Sequence, residues 1–213
     1  MVSDLKGLLG LNPSSPGLSA YIASLAHAAS QPGAATPEVK SYADAVYFNY
    51  YSLGLSLLFK PIGGYTPKAG LKLEDLKEES LALDGIDIYN VPSPKAGANA
   101  SRAAKSAYTT YPTFPIVLGL VPLPSSDDGK SRPESVSITS ETTGKDFVLN
   151  MGEPDRKGGG AGPSSGSIGI WCEWSKDGVM VEFGGEESRG PQAWERGKDA
   201  VWKVISIFPP KAD

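Results

Sequence analysis

Apolar residues fall at alternate positions in two stretches of the chain, and each stretch turns back on itself at a glycine. In the first, Val46, Phe48 and Tyr50 alternate with Tyr47, Asn49 and Tyr51, Ser52-Leu53-Gly54 supplies a turn, and Leu55, Leu57 and Phe59 return. A period of two with a glycine between the runs predicts a β-hairpin within residues 42–59. In the second, Ile168, Ile170, Cys172 and Trp174 share one face, residues 175–178 turn at Gly178, and Val179, Val181 and Phe183 return. The two hairpins keep the same spacing, Tyr50 to Phe59 matching Trp174 to Phe183 and Phe48 matching Cys172. A closing strand follows each, Ile86-Asp87-Ile88-Tyr89 in one case and Ile205-Ser206-Ile207-Phe208 in the other.

A helical period precedes each hairpin. Leu18, Tyr21, Ile22, Leu25, Ala26 and Ala29 recur on one face after the capping pair Ser15-Pro16, and Gln31-Pro32-Gly33 ends the run. A shorter helix is predicted over residues 143–151, with Phe147, Val148 and Met151 together and Gly152 and Pro154 stopping it. Residues 71–80, LKLEDLKEES, have the pattern for one or two amphipathic helical turns. Residues 111–124 place Phe114, Ile116, Val117 and Leu120 among prolines. Proline blocks ladder hydrogen bonds, so this stretch reads as an extended, docked connector whose apolar residues are buried. Val136 and Ile138 form a short strand. The expected fold is α+β: two diverged copies of a helix plus a three-stranded antiparallel meander, packed together. Residues 1–91 are the first copy, 92–135 a Pro/Gly/Ser-rich connector and 136–213 the second copy.

Composition narrows the function classes. Hydrophobic residues are 40% and charged residues 21% of the chain, ordinary for a globular protein, while 25 glycines and 18 prolines imply long irregular connections. The net charge of −4 and the absence of a Lys/Arg run argue against nucleic acid as a partner. No stretch of about 18 apolar residues is present, so no integral membrane segment is expected. The N-terminal run is too short and glycine-broken for a signal-peptide core. A single cysteine forms no internal disulfide, which points to a cytoplasmic location.

The sequence of helix, Gly-x-Pro break, aromatic strand, glycine-led return strand ending in Phe, and closing strand resembles small α+β repeat modules. Phe147, Met151, Gly152 and Pro154 carry the break in the second half, and Leu5, Leu9, Gly10 and Pro13 resemble it in the first. The bacterial outer-membrane assembly lipoprotein family and the β-lactamase inhibitor protein family are built this way. Tyr47, Phe48, Asn49, Tyr50, Leu53, Gly54, Leu58 and Phe59 also resemble the hairpin of the eukaryotic phagosome assembly factor family. These resemblances imply binding or scaffolding rather than catalysis, in the last case at phosphoinositide membranes.

Candidate chemistry is sparse. Cys172 and His27 are the lone cysteine and histidine. Cys172 shares a strand face with Ile170 and Trp174, which marks it as a core residue, and His27 lies off the apolar face of its helix. Gly129-Lys130-Ser131 lacks the strand and leading glycine of a phosphate loop, and residues 156–167 lack a strand-to-helix setting. Neither Asp127-Asp128 nor Glu186-Glu187 has calcium-loop spacing, so no metal and no cofactor is assigned. Glu173 and Glu182 sit on facing strands away from the core, where an acid/base pair would stand. On that side also lie Tyr47, Tyr51 and Trp171, with Trp194 in the last loop, and aromatic side chains carry much of the energy of protein recognition. Three readings follow. The first is a non-enzymatic cytoplasmic module that binds a protein partner through its aromatic sheet faces, using Tyr47, Tyr51, Trp171, Glu173, Glu182 and Trp194. The second is a hydrolase-like enzyme with carboxylates in a cleft between the copies. The third is a peripheral membrane adaptor, with association at the membrane surface.

Overall fold

The computed structural model describes residues 4–91, 107–122, 132–160 and 169–210. The predicted readings at Asp127-Asp128 and Gly129-Lys130-Ser131, most of the 92–135 connector, Ile168 and most of the glycine run at 156–167 lie outside the described residues. The chain forms two compact α+β units. Leu11–Leu83 and Asp87–Thr113 make one, which contains all nine tyrosines. Met1–Gly10, Asp84–Ile86 and Phe114–Asp213 make the other, which contains all four tryptophans. We call them the tyrosine unit and the tryptophan unit.

The tyrosine unit begins with helix α1 (Pro16–Ala28). Ser15 Oγ accepts from the Leu18 N–H at 3.4 Å, and Pro16 occupies the first turn, where no donor is needed. The predicted face is buried through Leu18, Tyr21, Ile22, Leu25 and Ala26, and His27 is exposed. The Tyr21 hydroxyl keeps a polar partner in this setting, the Tyr111 hydroxyl at 2.8 Å, and burial pushes its pKa well up. Strands β1 (Glu38–Ser41), β2 (Val46–Tyr50), β3 (Leu55–Pro61) and β4 (Leu81–Tyr89, whose middle residues Asp84–Ile86 are counted with the other unit) then follow in the spatial order β1-β2-β3-β4. In the hairpin, Val46 stands opposite Phe59, Phe48 opposite Leu57 and Tyr50 opposite Leu55, and all six side chains are buried. The Phe48 and Phe59 rings pack with centroids 4.9 Å apart. Residues 71–80 differ from expectation. They form two isolated 3-10 turns, Leu73–Asp75 and Glu78–Ser80, each ended by a residue in extended conformation, Leu76 and Leu81.

The tryptophan unit contains a two-stranded ladder of β5 (Ile116–Gly119) and β6 (Ser135–Ile138), then helix α2 (Gly144–Met151). Residues 111–124, expected as an extended connector unable to form a regular central strand, carry β5, one strand of this two-stranded ladder. Proline removes only its own N–H, and β5 fits between Pro115 and Pro122. Alternation then buries Ile116 and Leu118 and leaves Val117 38% exposed, so the expected burial of Val117 also fails. After α2 come β7 (Arg156–Gly158), β8 (Trp171–Trp174), β9 (Val179–Phe183), the short helix α3 (Ala193–Arg196) and β10 (Trp202–Ile207), with the strands ordered β7-β8-β9-β10. Phe147, Met151, Trp174, Phe183 and Trp202 are all buried. The Trp202 indole N–H is satisfied by the Thr139 carbonyl at 2.7 Å.

The predicted correspondence of the hairpins holds in register. Trp174 stands opposite Val179 and Cys172 opposite Val181, as Tyr50 and Phe48 stand opposite Leu55 and Leu57. Gly54 and Gly178 both adopt the left-handed region, at φ of 56° and 64°. Each glycine carbonyl accepts, at 2.9 Å, from an N–H at the end of the closing strand, that of Tyr89, the last residue of β4, in one unit and that of Phe208, just after the last strand, in the other. A Cβ on Gly54 would strike the Thr109 carbonyl, and one on Gly178 the Phe208 carbonyl, so backbone approach as well as conformation demands glycine. Each meander also carries an additional outermost strand. Val39 on β1 pairs with Phe48, and Lys157 on β7 pairs with Cys172. The turn before Gly178 is anchored by Asp177, which is buried against Arg132 and accepts from the Val121 N–H at 2.9 Å.

Candidate functional site

The side of each meander opposite its core displays the residues singled out from the sequence. In the tyrosine unit the odd-numbered positions of β2, Tyr47 and Asn49, point there, and Tyr51, which opens the turn after the strand, lines the same groove. Sequence alternation alone makes Asn49 an ordinary exposed polar residue. It is instead buried and organises the face. Its side-chain oxygen accepts from the Tyr108 hydroxyl at 2.6 Å and from Ser56 Oγ at 2.9 Å, while its amide donates to the Glu38 carbonyl at 3.2 Å. Tyr108 is thereby fixed, stacked on Tyr89 with centroids 3.7 Å apart and tilted against Tyr51 at 4.7 Å. Burial is the first cause pushing its hydroxyl pKa up.

These side chains line a groove of about 550 Å³. Tyr42, Tyr47, Tyr51 and Tyr108 present ring surface to it, and Lys40 and Asp44 supply one charge of each sign. Tyr42, half exposed, meets Tyr47 edge-on at 6.1 Å. The Lys40 ammonium lies 6.0 Å above the Tyr51 ring, and the Tyr51 hydroxyl donates to Glu38 at 3.2 Å. Tyr47 and Tyr51 are therefore half-buried edges of a built groove. Tyr42 and Tyr108, which complete it, carry no periodic signal that would have selected them, and the alternation that places Asn49 on this face does not mark its burial. Tyr108 follows the small-residue run at 95–107 and reaches the face through a long connection.

In the tryptophan unit Trp171 and Glu173 hold the positions equivalent to Tyr47 and Asn49, and Glu182 stands opposite Trp171 on the return strand. The Trp171 indole lies against Gly158, the residue paired with it, where an added Cβ would come within 2.7 Å of the ring. Arg156 sits 5.9 Å from the same ring. Glu173 lies on the expected side, away from the core, but it is not open there. It is 6% exposed, paired with Arg156 at 3.1 Å, and accepts from Ser175 Oγ at 2.7 Å. Glu182 pairs with Lys203 at 2.9 Å. The two carboxylates share a face, yet in the ladder Glu173 stands opposite Met180 and Glu182 opposite Trp171. Each is held by its own cation, Arg156 for Glu173 and Lys203 for Glu182, and the two do not face one another across the ladder.

Trp194 lies on α3, 43% exposed, apart from this set. Cys172 is buried as expected of a core residue, and burial pushes its thiol up to about 11, far from the range of a nucleophile. Among the described residues no group of three His, Cys, Asp or Glu side chains is placed to hold a metal ion, and no helix is long and apolar enough to cross a membrane. Comparison with protein-family models, with curated proteins and with solved structures finds no match to this chain.

Proposed function

We propose that this chain is a non-catalytic binding module that takes a segment of a partner protein in the tyrosine-lined groove of its tyrosine unit. The observation that supports the reading is the convergence of Tyr42, Tyr47, Tyr51 and Tyr108 on one groove whose buried floor group, Asn49, has its hydrogen bonds met within the unit. A satisfied floor needs no ligand to complete it, and the tyrosines are left to offer ring surface together with hydroxyl groups. Tyrosine suits protein recognition because it presents a large amphipathic area with few rotatable bonds to order. Lys40 and Asp44 at the same groove set register rather than overall charge preference. A lone cysteine and the absence of an internal disulfide fit action in a reducing compartment such as the cytoplasm.

The test is a selection from a random peptide display library on the intact protein, followed by binding measurements on the enriched peptides. Tyr47→Ala combined with Tyr51→Ala is expected to weaken those peptides about tenfold or more, the loss typical of truncating interface anchors. The reading is overturned if no peptide family is enriched, or if the enriched peptides bind the double variant as tightly as the parent.

A further inference from the structure

A second concavity, in the tryptophan unit, has a different chemistry. Helix α2, strand β8 and helix α3 border a cavity of about 300 Å³, with Val148, Pro154, Ile170, Cys172, Phe183 and Trp194 among its apolar walls. Lys145, Lys157 and Lys198 also line it, against the single acidic side chain of Glu153. The lysines come from three separate places in the sequence: the first turn of α2, strand β7, and the residues after α3. Lys157 lies 5.7 Å from the Trp194 ring, so cation and aromatic wall are already adjacent. Trp194 keeps 43% of its surface exposed and Leu149, which also lines the cavity, 71%. Large apolar groups left this open beside a cavity mark a binding site more often than an unfinished core.

We propose that this cavity binds a small amphipathic carboxylate, an aliphatic chain or single ring system ending in one negative charge. The walls take the apolar body by desolvation, and the surplus positive charge holds the carboxylate at the mouth. Polar groups on the walls are few, so a sugar or a nucleotide base finds little to hydrogen-bond. A volume of about 300 Å³ holds on the order of ten heavy atoms at the roughly 30 Å³ that one water occupies in the liquid. That sets the size at about that of decanoate. The site is independent of the tyrosine groove.

Decanoate titrated into the full chain is the direct probe, read by calorimetry and by tryptophan emission, with Trp194→Phe assigning the optical change. Saturable binding is expected, with decanol and decyltrimethylammonium at least about tenfold weaker because they lack the anion. The variant carrying Lys145→Gln, Lys157→Gln and Lys198→Gln is expected to lose about tenfold or more in affinity. Val148→Trp, filling the cavity from α2, should abolish binding. Urea denaturation establishes that each variant is folded. Equal binding of decanol and decanoate, an undiminished affinity in the triple lysine variant, or no saturable binding would each overturn the proposal.

Discussion

Gly54 and Gly178 show how much a single atom decides in this chain. Many of its glycines have positive φ, but few of those also face backbone. Gly63, at φ 63°, has nothing within 4 Å of the point where a Cβ would stand, whereas Gly54 and Gly178 have carbonyl groups that only a backbone shift could move. Gly63→Ala is therefore expected to lower stability by about 1 kcal/mol, the left-handed penalty alone. Gly54→Ala and Gly178→Ala should each lose about 3 kcal/mol or more, as strain and collision add. Urea midpoints of the three variants check this ordering, and equal losses would refute it. At Cys172 the sequence already read a core thiol, from its place beside Ile170 and Trp174. Burial adds the consequence that alkylation of native protein near pH 8 runs about a hundredfold slower than in denaturant, through a depressed thiolate fraction. Reaction of Cys172 at the unfolded rate under native conditions would contradict that. Glu173 was not legible in the same way. Alternation placed it correctly on the outer face, but burial there depends on Arg156 and Ser175 closing over it, and no periodicity encodes that closure.

The elements that could be read from sequence are those whose side chains alternate or recur against a core. The hairpins, α1, α2 and both closing strands meet that condition, so their existence and their shared glycine register were visible. Strands β1 and β7 were not, because Glu38–Ser41 and Arg156–Gly158 are short, largely polar edge segments stabilised by the neighbour's ladder rather than by buried apolar side chains of their own. β5 was hidden by its flanking prolines. Helix α2 shows the local chemistry that fixes a boundary. Both the Thr143 N–H and its hydroxyl donate to Asp146 Oδ2 at 2.8 Å, and these bonds, the backbone one first, hold the Asp146 carboxyl below its ordinary pKa. A depressed carboxylate contributes stability that is complete above the unfolded value of about 3.9 and drains away as pH falls through the folded value. Asp146→Asn is expected to lose up to about 1 kcal/mol near neutrality, limited by solvent screening at this partly exposed cap. The stability gap between parent and variant should stay level from neutral pH down to about 5 and shrink below about 4. A gap that does not narrow in acid would show that the charge is not what the cap supplies.

Across the whole molecule the aromatic residues are sorted by unit, every tyrosine in one and every tryptophan in the other. Charge is the other molecule-wide property, and it is mildly acidic at −4. Without a basic stripe to release counterions, the protein should show no retention on a duplex DNA column even at about 50 mM salt. The sorting of aromatics gives the two proposed sites separate optical signatures. The groove holds Tyr42, Tyr47, Tyr51 and Tyr108 and no tryptophan, while the cavity beside α2 is lined by Trp194 and no tyrosine. A library peptide seated in the groove desolvates phenol rings and leaves the indoles in their own surroundings. Decanoate does the reverse, replacing water against the exposed Trp194 ring. Peptide binding is thus expected to perturb the tyrosine absorbance difference spectrum and leave the tryptophan emission maximum in place, and decanoate to shift the emission maximum to shorter wavelength without a tyrosine signal. If both ligands moved the tryptophan emission, and both shifts vanished in Trp194→Phe, the peptides would be occupying the cavity and the groove would lose its assigned role.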